Sequence, residues 1–417
     1  MRQIINPGLR CGQVSAPPSK SIAHRMLICA ALSEEKCEIK CSGISKDIAA
    51  TMSCLKALGA AFSEGKDNLL TVAPIEIGIS ELAHMDCGES GSTLRFLLPI
   101  TAALGRRTVF YLEGRLAHRP LDDLSSQLQQ HGAIITRQDS VILCKGRLTN
   151  GTYTLPGNVS SQYISGLLFA LPLLKGDSRL NITGKRESSA YITMTEQALK
   201  MSGIIFEKDA DGYRIPGNQH YKMQTACSIE GDWSNAAFFL CMGALFHKGI
   251  TVSGLNLDSN QGDRQILQIL REFGAEVVLQ EDSVFVRRKE TIPLAISAEE
   301  IPDLVPVLSV LLAGAEGRSV ITNAQRLRLK ESDRLESTVA MINSLGGSAR
   351  ETDDDIVIFG KGSLIGGSVD SYNDHRIAMA AAAASCLCKK KVTVSNAECT
   401  DKSYPAFWET FNKLEVN

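Results

Sequence analysis

Along this chain the apolar residues recur in two alternating helical patterns. One pattern is apolar on nearly every side beyond its first turn and begins near Lys20, Gly91, Ser161, Trp233, Pro302 and Asn373. A helix of that kind must be buried on all faces. The other pattern is amphipathic, as in Leu335, Val339 and Ile342 following a polar start at Ser332 and Asp333. Its copies end at Gly59, Gly132, Gly203, Gly274 and Gly346, at intervals of 71–73 residues. Glycine there predicts a helix stop in the left-handed backbone region, and strand-like runs such as Ala275-Glu276-Val277-Val278-Leu279 follow. The chain therefore repeats a unit of buried helix, strand, amphipathic helix and strands about every 71 residues.

Six buried-helix starts predict six units, and the last, from Asn373 to the end, is short of strands. Residues 1 to about 15, with the extended candidates Ile4-Ile5 and Gln13-Val14, are expected to supply them. Three units per domain follow: an N-terminal domain over 16–229, and a C-terminal domain of 1–15 with 230–417. The chain then crosses between domains twice, near Ala16-Pro17-Pro18 and near Ser228-Ile229-Glu230. The fold class is α/β.

Composition narrows the function. With 44% apolar and 22% charged residues the chain is globular, and a net charge of −2 gives no general attraction to nucleic acid or to an anionic membrane. The apolar run over 377–388 is shorter than the roughly 18 residues of a membrane span, and the start has no signal-peptide apolar region, so a cytoplasmic location is expected. Twelve cysteines form no CxxC pair, and seven histidines are dispersed without an HExxH. Reduced thiols and no metal are expected.

Unusual polar residues stand at equivalent helix starts: Lys20-Ser21 with Arg25, Ser90-Gly91-Ser92 with Arg95, Ser160-Ser161-Gln162, Asp232, Asp303, and Asp374-His375-Arg376. Asp47, Arg119, Tyr191 and Asp263 are spaced by steps of 72, and Arg334 follows 71 residues later. Arg95 reads equally as a ligand contact or a structural ion-pair partner, and His375 as a brace for Asp374 or Arg376. Asp47, Asp232 and Asp263 read as helix caps. Lys20, Arg119, Lys330, Arg334, Arg376 and Lys402 exceed what capping requires. Buried cations need anions, so these residues point to a shared site for phosphate or carboxylate groups, aided by exposed amides at helix starts. The stretch 88–93 lacks the lysine of a P-loop, and no GxGxxG introduces a dinucleotide site.

Together these stretches resemble a known family. Pro18-Ser19-Lys20-Ser21 with Arg25, residues 88–95, Arg119-Pro120, Ser160-Ser161-Gln162-Tyr163, Ile301-Pro302-Asp303, residues 329–334, Tyr372-Asn373-Asp374-His375-Arg376 and Lys402-Ser403-Tyr404-Pro405 resemble, in order, the EPSP synthases, or 3-phosphoshikimate 1-carboxyvinyltransferases. The resemblance implies an inside-out α/β fold of two domains, each of three βαβαββ units around buried parallel helices, with the site in the cleft. It implies transfer of the enolpyruvyl group of phosphoenolpyruvate to the 5-hydroxyl of shikimate 3-phosphate, with release of phosphate. Carried over position by position, Lys20, Gly91, Arg119, Gln162, Arg334, Arg376 and Lys402 would bind phosphoenolpyruvate. Lys20, Ser21, Arg25, Ser160, Ser161, Gln162, Ser188, Tyr191, Asp303 and Lys330 would bind shikimate 3-phosphate. Asp303, Glu331 and Lys20 would share the proton transfers, in a division the sequence leaves open. No metal, organic cofactor, nucleic acid or membrane partner is implied, and the enzyme is expected to be a monomer. The related transferase acting on UDP-N-acetylglucosamine typically has Lys-Asn at the first motif and a cysteine before the position of Arg119. Here Ser21 follows Lys20, and 114–118 holds no cysteine. Departures from the family pattern include Glu89, Ser92-Thr93, the surroundings of Arg119 and Arg326.

Overall fold

The computed structural model describes residues 1–76, 82–223 and 226–417. Twelve α-helices occur among them: α1 (Lys20–Leu32), α2 (Lys46–Ala57), α3 (Gly91–Ala103), α4 (Asp122–Gln130), α5 (Ser161–Ala170), α6 (Ser189–Met201), α7 (Trp233–Ala244), α8 (Ile266–Glu272), α9 (Val305–Ala313), α10 (Arg334–Ser344), α11 (His375–Ala384) and α12 (Phe407–Asn412). They alternate in kind, and the reason lies in the side chains. Every residue of α7, α9 and α11 is buried, whereas α10 buries one face through Leu335, Met341 and Ile342. The odd-numbered helices are core, and the even-numbered ones mostly cover it.

Gly59, Gly132, Gly203, Gly274 and Gly346 all adopt φ between 73 and 106° just past their helices, the left-handed region that lets a helix stop sharply. Twelve free cysteines are present, eleven of them buried. Among the described residues no helix is long and apolar enough to cross a membrane, and no cluster of three or more His, Cys, Asp or Glu could hold a metal ion.

The chain divides into two compact units, Lys20–Ile229 and Met1–Ser19 with Glu230–Asn417. Each contains three of the buried helices and three small sheets. The sheets share one plan, a parallel pair of strands extended by antiparallel neighbours. Four of the parallel pairs flank a buried helix in the ordinary way; Ala83–Asp86 and Thr108–Tyr111, for example, stand on either side of α3 in the chain. At the two remaining helices the leading strands are exchanged. Arg10–Ser15, which precedes α1, pairs with Ile250–Ser253 after α7. Ala226–Ser228, which precedes α7, pairs with Cys37–Lys40 after α1.

This exchange corrects the expectation that residues 1 to about 15 all complete the sixth unit. Arg2–Ile5 does lie against Val392–Ser395 of that unit, but Arg10–Ser15 belongs to the fourth. Residues 16–19 also stay with the first and last parts of the chain. The amide of Ala16 donates to the Ser253 carbonyl, and that of Ser19 to the Glu230 carbonyl, so the unit break falls after Ser19 and not after residue 15.

Candidate active site

In the unit containing both chain ends, α9, α10 and α11 pack together, and their starts bring the charged residues into one cluster. Asp333 caps α10 by accepting from the Glu336 amide at 3.2 Å. Ser332 is not the cap; its hydroxyl donates to Asp374 Oδ2 at 3.0 Å. The chain before that cap makes a 3-10 turn over Gln325–Leu329, and Lys330, Glu331 and Ser332 link turn to helix. Asp374 caps α11 through the Arg376 amide at 2.9 Å. Asp303 lies in the 3-10 turn Pro302–Leu304 that leads into α9.

Arg334 is the centre of the cluster, with 1% of its side chain exposed. Its Nε donates to Asp374 Oδ2 at 2.8 Å, its Nη1 to Asp303 Oδ1 at 2.9 Å and its Nη2 to Glu331 Oε2 at 2.6 Å. The planar fork of arginine suits this, because one guanidinium reaches three carboxylates. Asp303 is held from the other side by Arg376, whose Nη2 donates to Oδ2 at 3.0 Å and whose Nη1 donates to the Asp303 carbonyl at 3.1 Å. Lys330 Nζ stands 3.7 Å from Asp303 Oδ1. Lys402 is buried at the end of the 3-10 turn Ala397–Lys402, which packs on α11. Arg326 donates to the Glu299 carbonyl at 3.0 Å. The anions that these buried cations require are thus supplied largely by the protein's own carboxylates. A charged ligand would compete with them.

The unit Lys20–Ile229 carries a second group. Lys20 Nζ pairs with Asp47 Oδ2 at 2.9 Å. Asp47 is not the cap of α2, because the Ser45 hydroxyl accepts from the Ile48 amide there. Ser90 caps α3, and Gly91 opens that helix. A Cβ on Gly91 would lie 2.7 Å from Arg95 Nη1 and 3.0 Å from Arg119 Nη1, so both guanidiniums close over the bare helix start. Arg95 Nη1 donates to Gln162 Oε1 at 2.8 Å, and Gln162 Nε2 donates to Ser92 Oγ at 2.9 Å, tying α3 to α5. Ser160 caps α5 and Ser161 is buried beside it. Ser188, at the start of α6, holds a left-handed conformation with φ 54°, a costly geometry for a serine.

Arg25 and Tyr191 meet between α1 and α6. Arg25 donates to the Ser21 carbonyl at 2.5 Å, the Tyr191 carbonyl at 2.8 Å and Thr195 Oγ1 at 2.8 Å. Burial pulls its pKa down to about 10, against the opposing influence of Tyr191 and Cys29. Of the residues singled out from the sequence, one group is gathered at the starts of α9, α10 and α11, and the other at the starts of α1, α3, α5 and α6. Asp374 and Asp47 enter these groups as ion-pair partners. Their positions at helix starts were visible, but their partners were not.

The sequence matches the family model for EPSP synthase (3-phosphoshikimate 1-carboxyvinyltransferase) over residues 8–411. The chain belongs to the EPSP synthase family. It is 44% identical over 416 residues to a 3-phosphoshikimate 1-carboxyvinyltransferase of Clostridium kluyveri, covering 98% of this chain and 96% of that one. The same identity and coverage hold for the enzyme of that name from Clostridium acetobutylicum. In fold it resembles EPSP synthase from Acinetobacter baumannii, with a TM-score of 0.81 at 24% identity, covering 100% of this chain and 99% of that one. The enolpyruvyl transferase NikO from Streptomyces tendae gives 0.79 at 17% identity, covering 100% and 97%.

In this member of the EPSP synthase family the clustered cations keep the neighbouring carboxylates ionised. Burial works against ionisation of Asp303, but Arg376, Lys330 and Arg334 outweigh it and hold the carboxyl well below its ordinary range. Asp374, also buried, is kept low by Arg334. Arg334 is fixed in its charged form by Asp374, Glu331 and Asp303 despite its burial. Asp303 is therefore a carboxylate, not a carboxylic acid, in the ligand-free protein.

Proposed function

We propose that this protein transfers the enolpyruvyl group of phosphoenolpyruvate to the 5-hydroxyl of shikimate 3-phosphate, giving 5-enolpyruvylshikimate 3-phosphate and inorganic phosphate. The observation that carries this reading is the Asp303–Arg334–Glu331 arrangement: two carboxyl groups suited to moving protons, joined through a guanidinium suited to an anion. Family membership gives the reaction its substrates.

Addition requires a proton on the methylene carbon of phosphoenolpyruvate and a bond from the 5-hydroxyl oxygen to its neighbouring carbon, while the hydroxyl loses its proton. Elimination then removes a proton from the new methyl group as the C–O bond to phosphate breaks. We assign delivery and recovery of the carbon-bound proton to Glu331, and the hydroxyl proton to Asp303, with Lys20 able to share that work. The residues assigned to phosphoenolpyruvate are Lys20, Gly91, Arg119, Gln162, Arg334, Arg376 and Lys402. The charges of that substrate are met by guanidinium forks and by the amides of a helix start. Ser21, Arg25, Ser160, Ser161, Gln162, Ser188, Tyr191 and Lys330, together with Lys20 and Asp303, take shikimate 3-phosphate.

The ion pairs described above bear directly on this chemistry. When a substrate anion draws Arg334 and Arg376 away, Asp303 loses the cations that hold its pKa down and becomes a better base. The same cations stabilise the charge that develops on the departing phosphate. The enzyme acts as a monomer in the cytoplasm, with small molecules as its partners.

Phosphate release from phosphoenolpyruvate tests the assignment, with shikimate 3-phosphate or UDP-N-acetylglucosamine as acceptor. Release is expected with the first acceptor alone. Release only with the second, or with neither, rejects the assignment.

A further inference from the structure

The repeat places Asp47, Tyr191 and Asp263 at equivalent points, and the structure uses them differently. Asp263 caps no helix, Asp47 pairs with Lys20, and Tyr191 offers its carbonyl to Arg25. That last contact belongs to a buried junction of three helices. Arg25 on α1 donates from Nε to Thr195 Oγ1 on α6 at 2.8 Å. Thr195 Oγ1 in turn donates to Ser165 Oγ on α5, also at 2.8 Å, with the Tyr191 carbonyl 3.2 Å away. Thr195 and Ser165 are wholly buried. One hydroxyl therefore joins α1, α6 and α5.

Arginine carries five N–H groups. Arg25 commits three of them, to Thr195 Oγ1 and to the carbonyls of Tyr191 and Ser21, which leaves one on Nη1 and one on Nη2. All three acceptors are neutral, and among the described residues no carboxylate pairs with this guanidinium. Arg334, by contrast, is met by three carboxylates. A buried cation answered only by neutral groups needs an anion, and two neighbouring N–H groups form a fork that takes one. Phe96 of α3 lies against the guanidinium, with Arg25 Cζ 5.1 Å from the ring centroid, and helps to fix its plane.

The residues of this unit assigned above to shikimate 3-phosphate all lie in, or just before, the first two turns of α1, α5 and α6. These are the helices that meet at Thr195. We propose that Thr195 is a positioning residue for shikimate 3-phosphate: its hydroxyl, accepting from Arg25 and donating to Ser165, aims the two uncommitted N–H groups of Arg25 at an anionic group of that substrate. Thr195 touches no substrate in this scheme and acts through Arg25. The inference rests on the assignment of Arg25 made above. Valine has the shape of threonine without its hydroxyl, so Thr195→Val would leave the Arg25 Nε–H buried without an acceptor.

The test measures phosphate release with each substrate varied in turn for the parent, Thr195→Val, Thr195→Ser and Ser165→Ala, alongside thermal melts. Thr195→Val should raise the KM for shikimate 3-phosphate by about tenfold or more, the scale of a lost hydrogen bond to a buried charge. Its kcat and its KM for phosphoenolpyruvate should each stay within about threefold of the parent. Thr195→Ser keeps the hydroxyl and should bring the KM for shikimate 3-phosphate back to within about threefold of the parent. Ser165→Ala leaves the Arg25 bond but cuts the tie to α5, and should raise that KM by about threefold. A merely structural hydroxyl would lower the melting temperature of Thr195→Val while leaving both KM values unmoved or shifting them alike, which overturns the proposal. A serine variant no better than the valine one overturns it too. If Thr195→Val does not fold, an unmoved KM for shikimate 3-phosphate in Ser165→Ala overturns it as well. A parent that releases no phosphate sinks the assignment of the reaction and this inference with it; a turning-over parent whose KM values Thr195→Val reproduces sinks this inference alone.

Discussion

Arg334 Nη1 meets Asp303 Oδ1 at 2.9 Å from a side chain almost wholly cut off from solvent. Two more carboxyl groups, the partly exposed Glu331 and the fully buried Asp374, share the same guanidinium. Removing a buried charge leaves its partners uncompensated, at a typical cost of about 3–5 kcal/mol. Arg334→Ala should therefore lower stability by that amount as well as abolish turnover. Urea unfolding measures it, and a loss below about 1 kcal/mol would mean that the three acids do not depend on Arg334.

The same cluster sets the acid stability. Asp303 and Asp374 have folded-state pKa values below the roughly 3.9 of an unfolded aspartate. A depressed carboxyl stabilises the fold fully above its unfolded pKa, and that stability is lost as the pH falls from there through the folded value. Unfolding free energy should thus fall below about pH 4, and Asp374→Asn should flatten that decline. Asp263 contributes with the opposite sign. Its pKa is raised, so its contribution to stability declines as pH rises from about 4 to about 7. Circular dichroism of both proteins through acid titration decides the matter; equal slopes below pH 4 would remove Asp374 from the account.

Much of this architecture was legible because it is periodic and local. The glycine stops at 59, 132, 203, 274 and 346 and the all-apolar helices follow from backbone and burial rules acting within one unit. What escaped is non-local. Arg10–Ser15 has the pattern of any half-buried strand, and nothing within it says that its partner is Ile250–Ser253. Asp47 has the residue type of a cap, but Ser45 fills that role two positions earlier, leaving Asp47 to Lys20, 27 residues back. The cations at 330, 334 and 376 stood out in the sequence by position, and the structure gathers them around the protein's own carboxylates. Their present partners, Asp303 and Asp374, lie 31 and 40 residues from Arg334 and could not be assigned by spacing.

The separation of Ser45 from Asp47 can be tested directly. Ser45→Ala removes the α2 cap and should cost about 1 kcal/mol of stability while sparing turnover. Asp47→Asn keeps the cap but removes the charge paired with Lys20, and should lower kcat by about tenfold or more with a smaller effect on melting. Thermal melts and phosphate release on the two variants should give opposite patterns. Parallel losses in both would return Asp47 to a structural role.

Gly91 is where the geometry leaves least room. A methyl group there would lie 2.7 Å from Arg95 Nη1 and 3.0 Å from Arg119 Nη1, so at least one guanidinium must shift. Gly91→Ala should raise the KM for phosphoenolpyruvate by about tenfold or more, because misplacing a binding group by an ångström is expensive. The KM for shikimate 3-phosphate should change less. Steady-state kinetics with each substrate varied in turn makes the comparison, and an unaltered phosphoenolpyruvate KM would move that substrate away from the start of α3.

Glu331 carries the most direct test of the proton chemistry. Its Oε2 accepts from Arg334 Nη2 at 2.6 Å, a contact that a glutamine carbonyl can also make. Glu331→Gln therefore preserves shape and the hydrogen bond to Arg334 but removes the acidic proton. Substrate binding should stay within about threefold of the parent, while kcat falls by at least about a hundredfold, the lower scale for losing a general acid or base. Running the reaction in deuterated water separates the two roles of the residue: a parent that turns over should exchange deuterium into the methylene group of recovered phosphoenolpyruvate, and Glu331→Gln should exchange far less. Undiminished exchange in the variant would assign the carbon-bound proton to another group, with Lys20 the next to be examined.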